Sequence, residues 1–326
     1  MKAVLLTTFG PPENLYIGDW EIPQAKASEV LVKVKATALN RADTLQRRGV
    51  YPPPPGDSPI LGLEVAGEIA ELGTAVKNWK VGDRVCGLLG GGGYAQYATM
   101  PADMLLPIPA NLNFEEAAAI PEVFLTTYQA MVWIAQLQEG ESILIHAGAS
   151  GVGTAAIQMA KSIGATVYVT ASKSKHATCL ALGATKAIDY KTEDFKQQIL
   201  DFTNKKGVDV IIDFIAAPYL QKNINSLALD GRMVLLALMG GIKVPDLNVA
   251  NLLVKRLQIT GSTLRSRPLP YKIRLSQALK AYAWPLFEQQ TLRPIIDSVF
   301  DWKEVVKAHN RMEQNLNIGK IILKVD

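Results

Sequence analysis

The sequence is poor in the residues that build metal centres and disulfide frameworks. It contains only two cysteines and three histidines among 326 residues. Cys86 and Cys179 lie far apart in the chain, so their spacing matches neither a disulfide framework nor a metal knuckle. Because unpaired thiols are typical of reducing compartments, we expect a cytoplasmic protein.

Long apolar runs and a strong excess of one charge are also missing. No stretch reaches the roughly 18 consecutive apolar residues of a membrane span, and Met1–Leu6 does not begin a typical signal peptide. We therefore expect no membrane partner. The formal net charge of +4 is modest and spread along the chain, and no RNA-binding motif is evident, so we expect no nucleic-acid partner.

What the chain does contain is a strand-like segment that runs into a glycine-rich turn, at residues 142–153. The pattern predicts a strand, a turn that binds dinucleotide phosphates, and a helix whose N-terminus faces them. Ser150 stands where the second glycine of G-x-G-x-x-G belongs, and an ordinary glycine-rich turn is the alternative. The candidate phosphate-binding residues are Gly148, Ser150, Gly151, Val152 and Gly153.

The next predicted strand, residues 165–171, lacks the carboxylate that usually holds the ribose of NAD. Ser172 and Lys175 follow it instead, within a Ser-Lys-Ser-Lys run. Cations and hydroxyls suit a 2′-phosphate, so we expect NADPH, although a solvated basic surface is the alternative. Tyr190, after a third strand at 186–190, would cover the adenine or meet the same phosphate, or lie on the surface as an ordinary tyrosine.

The middle of the chain alternates strands and helices, which predicts an α/β fold with a doubly wound parallel sheet. The strand candidates are 142–147, 165–171, 186–190, 208–214, 231–238 and 257–263, and the helix candidates are 151–163, 193–203 and 219–228. The first 120 residues instead carry short strands at 2–7, 29–37, 64–71, 84–87 and 94–99. They predict a partly open β-barrel, to which the tail from Arg293 onwards returns with a cleft between the two domains.

The order of several motifs along the whole chain resembles a known superfamily. These motifs are Asn40-Arg41-Ala42-Asp43, Gly62-Leu63-Glu64, Val81-Gly82-Asp83-Arg84-Val85, the 147–153 turn, residues 262–267 and Gly319-Lys320-Ile321-Ile322-Leu323. The chain is similar to medium-chain dehydrogenases/reductases, and within them to zinc-free quinone oxidoreductases, most closely the tumour-suppressor-inducible type. The resemblance implies a GroES-like, β-rich substrate domain at 1–122 plus 266–326, into which a Rossmann NADPH-binding domain at 123–265 is inserted.

The same motifs argue against a catalytic zinc. Zinc alcohol dehydrogenases of this superfamily have a cysteine near Asn40 or Arg41 and a histidine where Leu63 stands. Leucine cannot bind a metal, and a catalytic zinc needs about three protein ligands. We therefore expect no metal, and acceptors that stabilise negative charge themselves, namely quinones and α,β-unsaturated carbonyls.

The candidate catalytic residues lie in the first domain, where the resemblance places the acceptor pocket. Asn40 can donate a hydrogen bond to an oxygen, and Tyr51 can donate through its phenol and deliver a proton. Asp43 would orient one of them. Alternatively, Asn40 and Asp43 cap a helix at 41–48, and Tyr51 packs on the proline run that follows it.

Further cofactor contacts follow mainly from the resemblance. Thr127, at the start of a helix, resembles the family's threonine beside the nicotinamide, and Lys320 would reach the pyrophosphate. The remaining candidates follow predicted strands, where the ligand crevice of an open α/β sheet lies; they are Phe214, Leu238, Met239, Leu264 and Ser266. Core packing is the alternative for Phe214 and Met239.

Two other functions compete with a quinone or enone reductase. The scaffold also suits an enoyl thioester reductase, although no basic cluster for a carrier phosphate is evident. Some relatives are non-enzymatic and bind RNA or act structurally. In each case we expect a homodimer or a dimer of dimers, because the strand at 257–263 is predicted to be an exposed edge of the sheet. Val254, Leu257 and Ile259 would then be partly buried between chains, and the alternative is that they face only the core of their own chain.

Overall fold

A computed structural model describes residues 1–325. The chain divides into two units. Unit 1 comprises Met1–Leu125 together with the segment from Leu264 onwards, and unit 2 comprises Thr126–Thr263. The boundaries expected from the sequence, after residues 122 and 265, differ from these by a few residues.

Unit 2 is built on a six-stranded sheet in which every neighbouring pair is parallel. Its strands are β8 (Ser142–Ile145), β9 (Thr166–Ala171), β10 (Lys186–Asp189), β11 (Val208–Asp213), β12 (Leu227–Leu235) and β13 (Gln258–Gly261). Their spatial order is β10-β9-β8-β11-β12-β13. The sheet reverses direction of growth next to β8, which confirms the doubly wound arrangement predicted from the sequence.

Helices alternate with these strands. They are α4 (Gly151–Ile163), α5 (His176–Leu182), α6 (Phe195–Phe202), α7 (Ala217–Ser226) and α8 (Ala250–Val254). The β-branched strand β11 is almost completely buried because helices cover both faces of a parallel sheet. Ile211 of that strand packs in one apolar cluster with Phe195 of α6 and Leu257 before β13.

Unit 1 contains a seven-stranded sheet centred on the long strand β3. The unit's strands are β1 (Lys2–Leu6), β2 (Leu15–Asp19), β3 (Glu29–Ala38), β4 (Glu64–Leu72), β5 (Arg84–Leu88), β6 (Tyr97–Pro101), β7 (Leu106–Pro107), β14 (Ile296–Asp301) and β15 (Lys320–Lys324). One edge of β3 is shared by β6 and β15, and the other edge pairs with β4. Strands β14 and β7 end the path, so within residues 1–325 the sheet is open.

The helices of unit 1 surround this sheet, and one of them continues into unit 2. They are α1 (Arg41–Arg47), α2 (Phe114–Ala118), α3 (Pro121–Tyr128), α9 (Leu269–Glu288) and α10 (Val305–Glu313). Helix α3 runs on into a π-helical segment at Gln129–Ile134. In α9 the buried side chains Leu275, Leu279, Ala283 and Phe287 recur every four residues, which is the spacing of one helix face.

Several predicted elements differ from the observed ones. The strand expected at 94–99 lies at Tyr97–Pro101, and the helix expected to reach residue 228 ends at Ser226. Strand β12 therefore begins earlier than predicted, because the apolar Leu227 joins the sheet core instead of α7. Among residues 1–325, no helix has both the length and the apolar character of a membrane span.

Candidate active site

The glycine-rich turn of unit 2 connects β8 to α4. Gly148 donates its backbone N–H to the carbonyl of Thr170 on β9, at 2.9 Å. A Cβ at Gly148 would meet the side chain of Val169 at 2.7 Å, and a Cβ at Gly153 would meet the carbonyl oxygen of Ala147 at 2.4 Å. Both contacts are too close for a side chain. Because Gly148 has no side chain, the turn can pack directly against β9. Because Gly153 has none, α4 can begin immediately after the turn, which is the geometry of a dinucleotide site.

Ser150 is the N-cap of α4. Its Oγ accepts the backbone N–H of Gly153 at 3.0 Å, so the hydroxyl satisfies one of the helix's free donors. The backbone N–H groups of Gly151 and Val152 make no hydrogen bond with any described residue. These two donors and the positive end of the helix dipole suit a pyrophosphate. The predicted cofactor-binding residues of this turn are thus close together in a cradle that fits the group.

The carboxyl ends of β9 and β10 lie side by side. Ala171 is in register with Asp189, so Ser172 and Tyr190 follow neighbouring strands. Ser172 and Lys175 are partly exposed and Tyr190 is exposed. The Asp189 carboxylate accepts hydrogen bonds from Lys191 N and Thr192 Oγ1 in its own loop. The acid next to this edge is therefore engaged locally.

The other predicted cofactor contacts of unit 2 fall at two places. Thr127, near the end of α3 and not at its start, donates its hydroxyl to the carbonyl of Val152 at 3.4 Å, beside the glycine turn. Met239 donates its backbone N–H to the carbonyl of Phe214, which brings the ends of β11 and β12 together. Phe214 is buried, in line with core packing, whereas Leu238 and Met239 are about half exposed.

Leu264 and Ser266 belong to unit 1, and Leu264 is buried while Ser266 is exposed. The remaining predicted contact, Lys320, needs a correction. Its ammonium donates to Leu39 O at 2.8 Å, Asn40 Oδ1 at 2.7 Å and Glu64 Oε1 at 2.7 Å, and it is almost fully buried. An ammonium has three N–H donors. None remains for the pyrophosphate that we expected Lys320 to bind.

Asn40 is the second expectation that the geometry corrects. Its amide nitrogen donates to Glu64 Oε1 at 2.8 Å and to Ala38 O at 3.3 Å, while its oxygen accepts from Lys320. The amide is therefore engaged on both sides and is not directed at a substrate oxygen. Its part in unit 1 is to hold the buried ion pair of Lys320 and Glu64 together.

Asp43 is fully buried in the first turn of α1. Its carboxyl accepts the backbone N–H groups of Asn40 and Gly62 and the hydroxyl of Tyr94. Burial raises its pKa to about 6, and these donors oppose that rise. Asp43 thus caps α1, the alternative considered from the sequence, and it contacts the backbone of Asn40 but makes no hydrogen bond to Tyr51.

Tyr51 lies beside a buried arginine. The guanidinium carbon of Arg265 is 5.3 Å from the centre of the Tyr51 ring, and Arg265 also donates to Gly90 O and Gln46 Oε1. Burial raises the pKa of the Tyr51 phenol, which keeps it protonated at neutral pH. Among the described residues, none accepts a hydrogen bond from this phenol, so it remains a free donor.

Glu122 is the second residue of α3 and lies, partly buried, next to the ion pair of Lys320 and Glu64. Its backbone N–H donates to Glu64 Oε2 at 2.8 Å. Burial, with the charge of Glu64 as the next cause, raises the pKa of the Glu122 carboxyl to about 8. Within residues 1–325, no side chain or backbone group hydrogen-bonds that carboxyl.

The donor set for a zinc ion is not present in the described part of the chain. No three His, Cys, Asp or Glu side chains are grouped so that they would hold a metal. Leu63 is buried, and Cys86 and Cys179 are buried as isolated thiols. The residues therefore do not fit a catalytic zinc.

Glu122 and Arg265 are the residues that sequence reasoning did not select. In the sequence, Arg265 is part of the motif at residues 262–267, and Glu122 is one of 30 acidic residues. No local pattern marks either of them, because each owes its environment to residues distant in sequence.

Comparison with known proteins settles the family. Residues 151–283 match the model of the zinc-binding dehydrogenase family, and residues 26–110 match that of the alcohol dehydrogenase GroES-like domain. The human quinone oxidoreductase is 32% identical, over 99% of this chain and 97% of its own length. The chain belongs to the medium-chain dehydrogenase/reductase superfamily.

Solved structures of this superfamily show the same fold. An NAD-dependent alcohol dehydrogenase is 32% identical, with a TM-score of 0.89 over all of both chains. The CurK enoyl reductase is 29% identical, with a TM-score of 0.89 over 100% of this chain and 99% of that one. The α/β fold with a GroES-like and a Rossmann domain is therefore confirmed, and the chain is an oxidoreductase of this superfamily that uses a nicotinamide dinucleotide.

Proposed function

We propose that the protein reduces quinones or other α,β-unsaturated carbonyls with NADPH and without a metal. The observation that carries the proposal is a dinucleotide-binding turn in a chain with a buried leucine, Leu63, at the position of a zinc-ligating histidine. Without a Lewis acid, hydride transfer favours acceptors that delocalise negative charge. The similarity to the human quinone oxidoreductase supports this acceptor class.

The choice of NADPH rests on the end of β9. Ser172 and Lys175 stand there, where an NAD enzyme has a carboxylate, and the neighbouring Asp189 is engaged within its own loop. A cation and a hydroxyl favour the 2′-phosphate of NADPH. Since one relative is named NAD-dependent, family membership alone does not decide between the two cofactors.

In this proposal, residues of the chain bind the cofactor and orient the acceptor. The free N–H groups of Gly151 and Val152 hold the pyrophosphate, and Thr127 lies beside them. Phe214, Leu238 and Met239 line the same edge of the sheet in unit 2. When bound, the reduced nicotinamide supplies the hydride. The free phenol of Tyr51, held next to Arg265, donates a hydrogen bond to the acceptor oxygen.

An enoyl thioester reductase is the second candidate, and the similarity to the CurK enoyl reductase favours it. The test is oxidation of NADPH, followed by its near-ultraviolet absorbance, with ortho- and para-quinones, simple enones and crotonyl thioesters. We expect a higher kcat/KM for quinones or enones than for thioesters, and a higher value with NADPH than with NADH. Turnover of thioesters alone would establish the second candidate instead.

The assembly and location belong to the same proposal. We expect a homodimer or a dimer of dimers, because β13 is an edge of the sheet in unit 2 and its four residues are exposed. The two buried free thiols suit the reducing cytoplasm.

A further inference from the structure

Ala216, between β11 and α7, has a backbone conformation that glycine adopts easily and other residues rarely adopt. Its φ is 69° and its ψ is −117°. A residue with a Cβ is strained in this conformation, and the strain persists only where the surrounding structure imposes it. The contacts of the turn that contains Ala216 therefore have to supply the cause.

Asp213, the last residue of β11, imposes the conformation of this turn. Its carboxylate accepts the backbone N–H of Ile215 at 2.7 Å and that of Ala216 at 3.2 Å, so the chain folds back over the Asp213 side chain. A third donor, Nδ2 of Asn223 on α7, lies 3.1 Å from the same carboxylate. Asp213 is fully buried, so each of these three hydrogen bonds is protected from water.

A buried network of hydrogen bonds continues from Asn223 across the sheet. Because a carboxylate only accepts, Asn223 turns its NH₂ group to Asp213 and its oxygen to Nε2 of His146, at 2.8 Å. That nitrogen must then carry the proton of the ring. Nδ1 is left as an acceptor, and Oγ1 of Thr170 donates to it at 2.9 Å. Every donor of the network thus points from Thr170 towards Asp213.

The two ends of this network hold two turns at the carboxyl edge of the sheet. The carbonyl of Thr170 accepts the backbone N–H of Gly148, in the glycine-rich turn after β8, at 2.9 Å. Asp213 holds the turn after β11. Strands β8 and β11 are neighbours, and the sheet grows in opposite directions from them. A dinucleotide binds outside the carboxyl ends of the strands at such a point, so both turns face the cofactor crevice.

The loop after β12 is attached to the strained turn. Met239 donates its backbone N–H to the carbonyl of Phe214 at 3.1 Å, and Gly240 donates to that of Ile215 at 2.8 Å. A Cβ at Gly240 would lie 2.8 Å from the same carbonyl oxygen, so the two loops are in direct contact. The position of Met239 at the sheet edge therefore depends on the conformation of Ala216.

We propose that Asp213 is a positioning residue for the nicotinamide dinucleotide, and that it acts by holding Ala216 in the strained conformation. Asn223 and His146 fix the carboxylate of Asp213 and keep the two turns of the crevice at one separation. The inference rests on the cofactor part of the proposed function. It holds for NADPH and NADH alike and does not depend on which acceptor is reduced.

The first test compares two carboxylates of the same strand. Asp213→Asn leaves one side-chain oxygen for three donors, so the turn should relax and Kd should rise about tenfold for both NADPH and NADH. Asp209, near the other end of β11, accepts Ser142 N at 2.7 Å and Ser142 Oγ at 2.8 Å. Asp209→Asn is the matched control, and it should lower stability to urea while leaving both Kd values unchanged. Fluorescence titration of the folded proteins measures Kd.

The second test removes the strain. Glycine adopts the φ and ψ of position 216 without a steric clash, so Ala216→Gly alone should keep the wild-type Kd. In the Asp213→Asn background the same substitution should recover most of the lost affinity, because the turn then reaches its conformation without the carboxylate. Loss of stability alone does not predict this recovery, since every Kd is measured on folded protein.

The third test examines the network without any cofactor. Burial lowers the pKa of His146 to about 4, so its ring is neutral at pH 7. Histidine ¹⁵N NMR should show a protonated Nε2 and an unprotonated Nδ1. Asp213→Asn should shift both resonances, whereas Asp209→Asn should leave them in place. A proton on Nδ1 would contradict the network, because Nε2 and the oxygen of Asn223 would then face each other as two acceptors.

The outcomes separate this role from the function on which it rests. A folded Asp213→Asn protein that binds both cofactors like the wild type would overturn the positioning role alone. A double variant that binds no more tightly than Asp213→Asn would do the same. If Asp213→Asn does not fold, Asn223→Leu, which keeps both backbone donors of Asp213, should still raise both Kd values, and unchanged values would refute the proposal. A wild type that binds neither cofactor would overturn the proposed cofactor itself.

Discussion

Ala171 and Asp189 are register partners at the ends of β9 and β10, and only one of them carries a charge. That charge is engaged by Lys191 N and Thr192 Oγ1. An NAD enzyme has a ribose-binding carboxylate at the end of the strand that corresponds to β9. At that position this chain has Ser172, followed by Lys173 and Lys175.

Lys175→Ala should weaken NADPH binding much more than NADH binding. The loss of a charge-assisted hydrogen bond to the 2′-phosphate costs about 1.5–3 kcal/mol, which is about ten- to a hundredfold in Kd. Fluorescence titration with both cofactors measures it, and the exposed Lys206→Ala serves as the control. Equal losses for NADPH and NADH would show that Lys175 does not read the phosphate.

The buried ion pair gives a prediction on stability. Lys320→Met should lower the free energy of unfolding by about 3–5 kcal/mol, because Glu64 is then buried without its cation. The double variant Lys320→Met/Glu64→Gln removes both charges and should regain most of that loss. Urea denaturation of the wild type, Lys320→Met, Glu64→Gln and the double variant closes the cycle, and a double variant no more stable than Lys320→Met would contradict the pairing.

His146 should make unit 2 sensitive to acid. Its ring nitrogens face Thr170 Oγ1 at 2.9 Å and Asn223 Oδ1 at 2.8 Å, and burial lowers its pKa from 6.5 to about 4. As the pH falls, His146 therefore takes up its proton at a higher pH in the unfolded chain than in the folded protein. The stability that the neutral ring contributes is complete above pH 6.5 and is lost between pH 6.5 and 4, by up to about 1.4 kcal/mol per pH unit.

The matched comparison for this effect is His146→Gln. Asp213, which Asn223 links to His146, has a raised pKa of about 6 and acts with the opposite sign, losing stability as the pH rises from 3.8 to 6. Because Asp213 is present in both proteins, the difference between their unfolding free energies reports His146. A difference that stays constant from pH 7 to 4 would mean that the histidine does not titrate on unfolding.

Metal analysis of the purified protein should find no stoichiometric zinc, and strong chelators should leave turnover unchanged. The reason is the donor set: Leu63 is buried, and no metal-holding group of side chains exists among residues 1–325. One tightly held zinc per chain would require ligands that this arrangement does not provide, and would overturn the metal-free reduction.

Light scattering should give a particle of at least twice 35.4 kDa at micromolar concentration. Leu253, Val254 and Ile259, close to the edge strand β13, are exposed by 82%, 70% and 37%. Leu253→Asp and Ile259→Asp should shift the measured mass towards that of a single chain. Leu180→Asp, at an exposed leucine on α5, should leave the mass unchanged. A wild type that stays at 35.4 kDa as concentration rises would exclude assembly through this edge.

Much of unit 2 was predictable because its signals are local. The strand, turn and helix around Gly148 and Gly153 follow one another in sequence, and each glycine is required by a contact with a near neighbour in the chain or in β9. Leu257 is the exception. It packs in the apolar core of its own unit, which is the alternative to burial between chains that the sequence leaves open.

The interior of unit 1 was not predictable in the same way. Residues 40, 64, 122 and 320 converge only through the pairing of β15 with β3 and of β3 with β4. Whether Asn40 faces a substrate or an ion pair is decided by a lysine 280 residues away. A motif identifies such residues as important, but their hydrogen-bond partners set what they do.

The late position of β15 has a consequence for how the protein is made. The ribosome synthesises β3 and Glu64 early and adds Lys320 256 residues after Glu64. Until then the sheet of unit 1 lacks a strand, and one buried carboxylate lacks its counter-ion. Unit 2, continuous from Thr126 to Thr263, has all its strands before that moment. We therefore expect the nascent chain to fold its middle first, and the segment around β3 to remain open to proteases until β15 has left the ribosome.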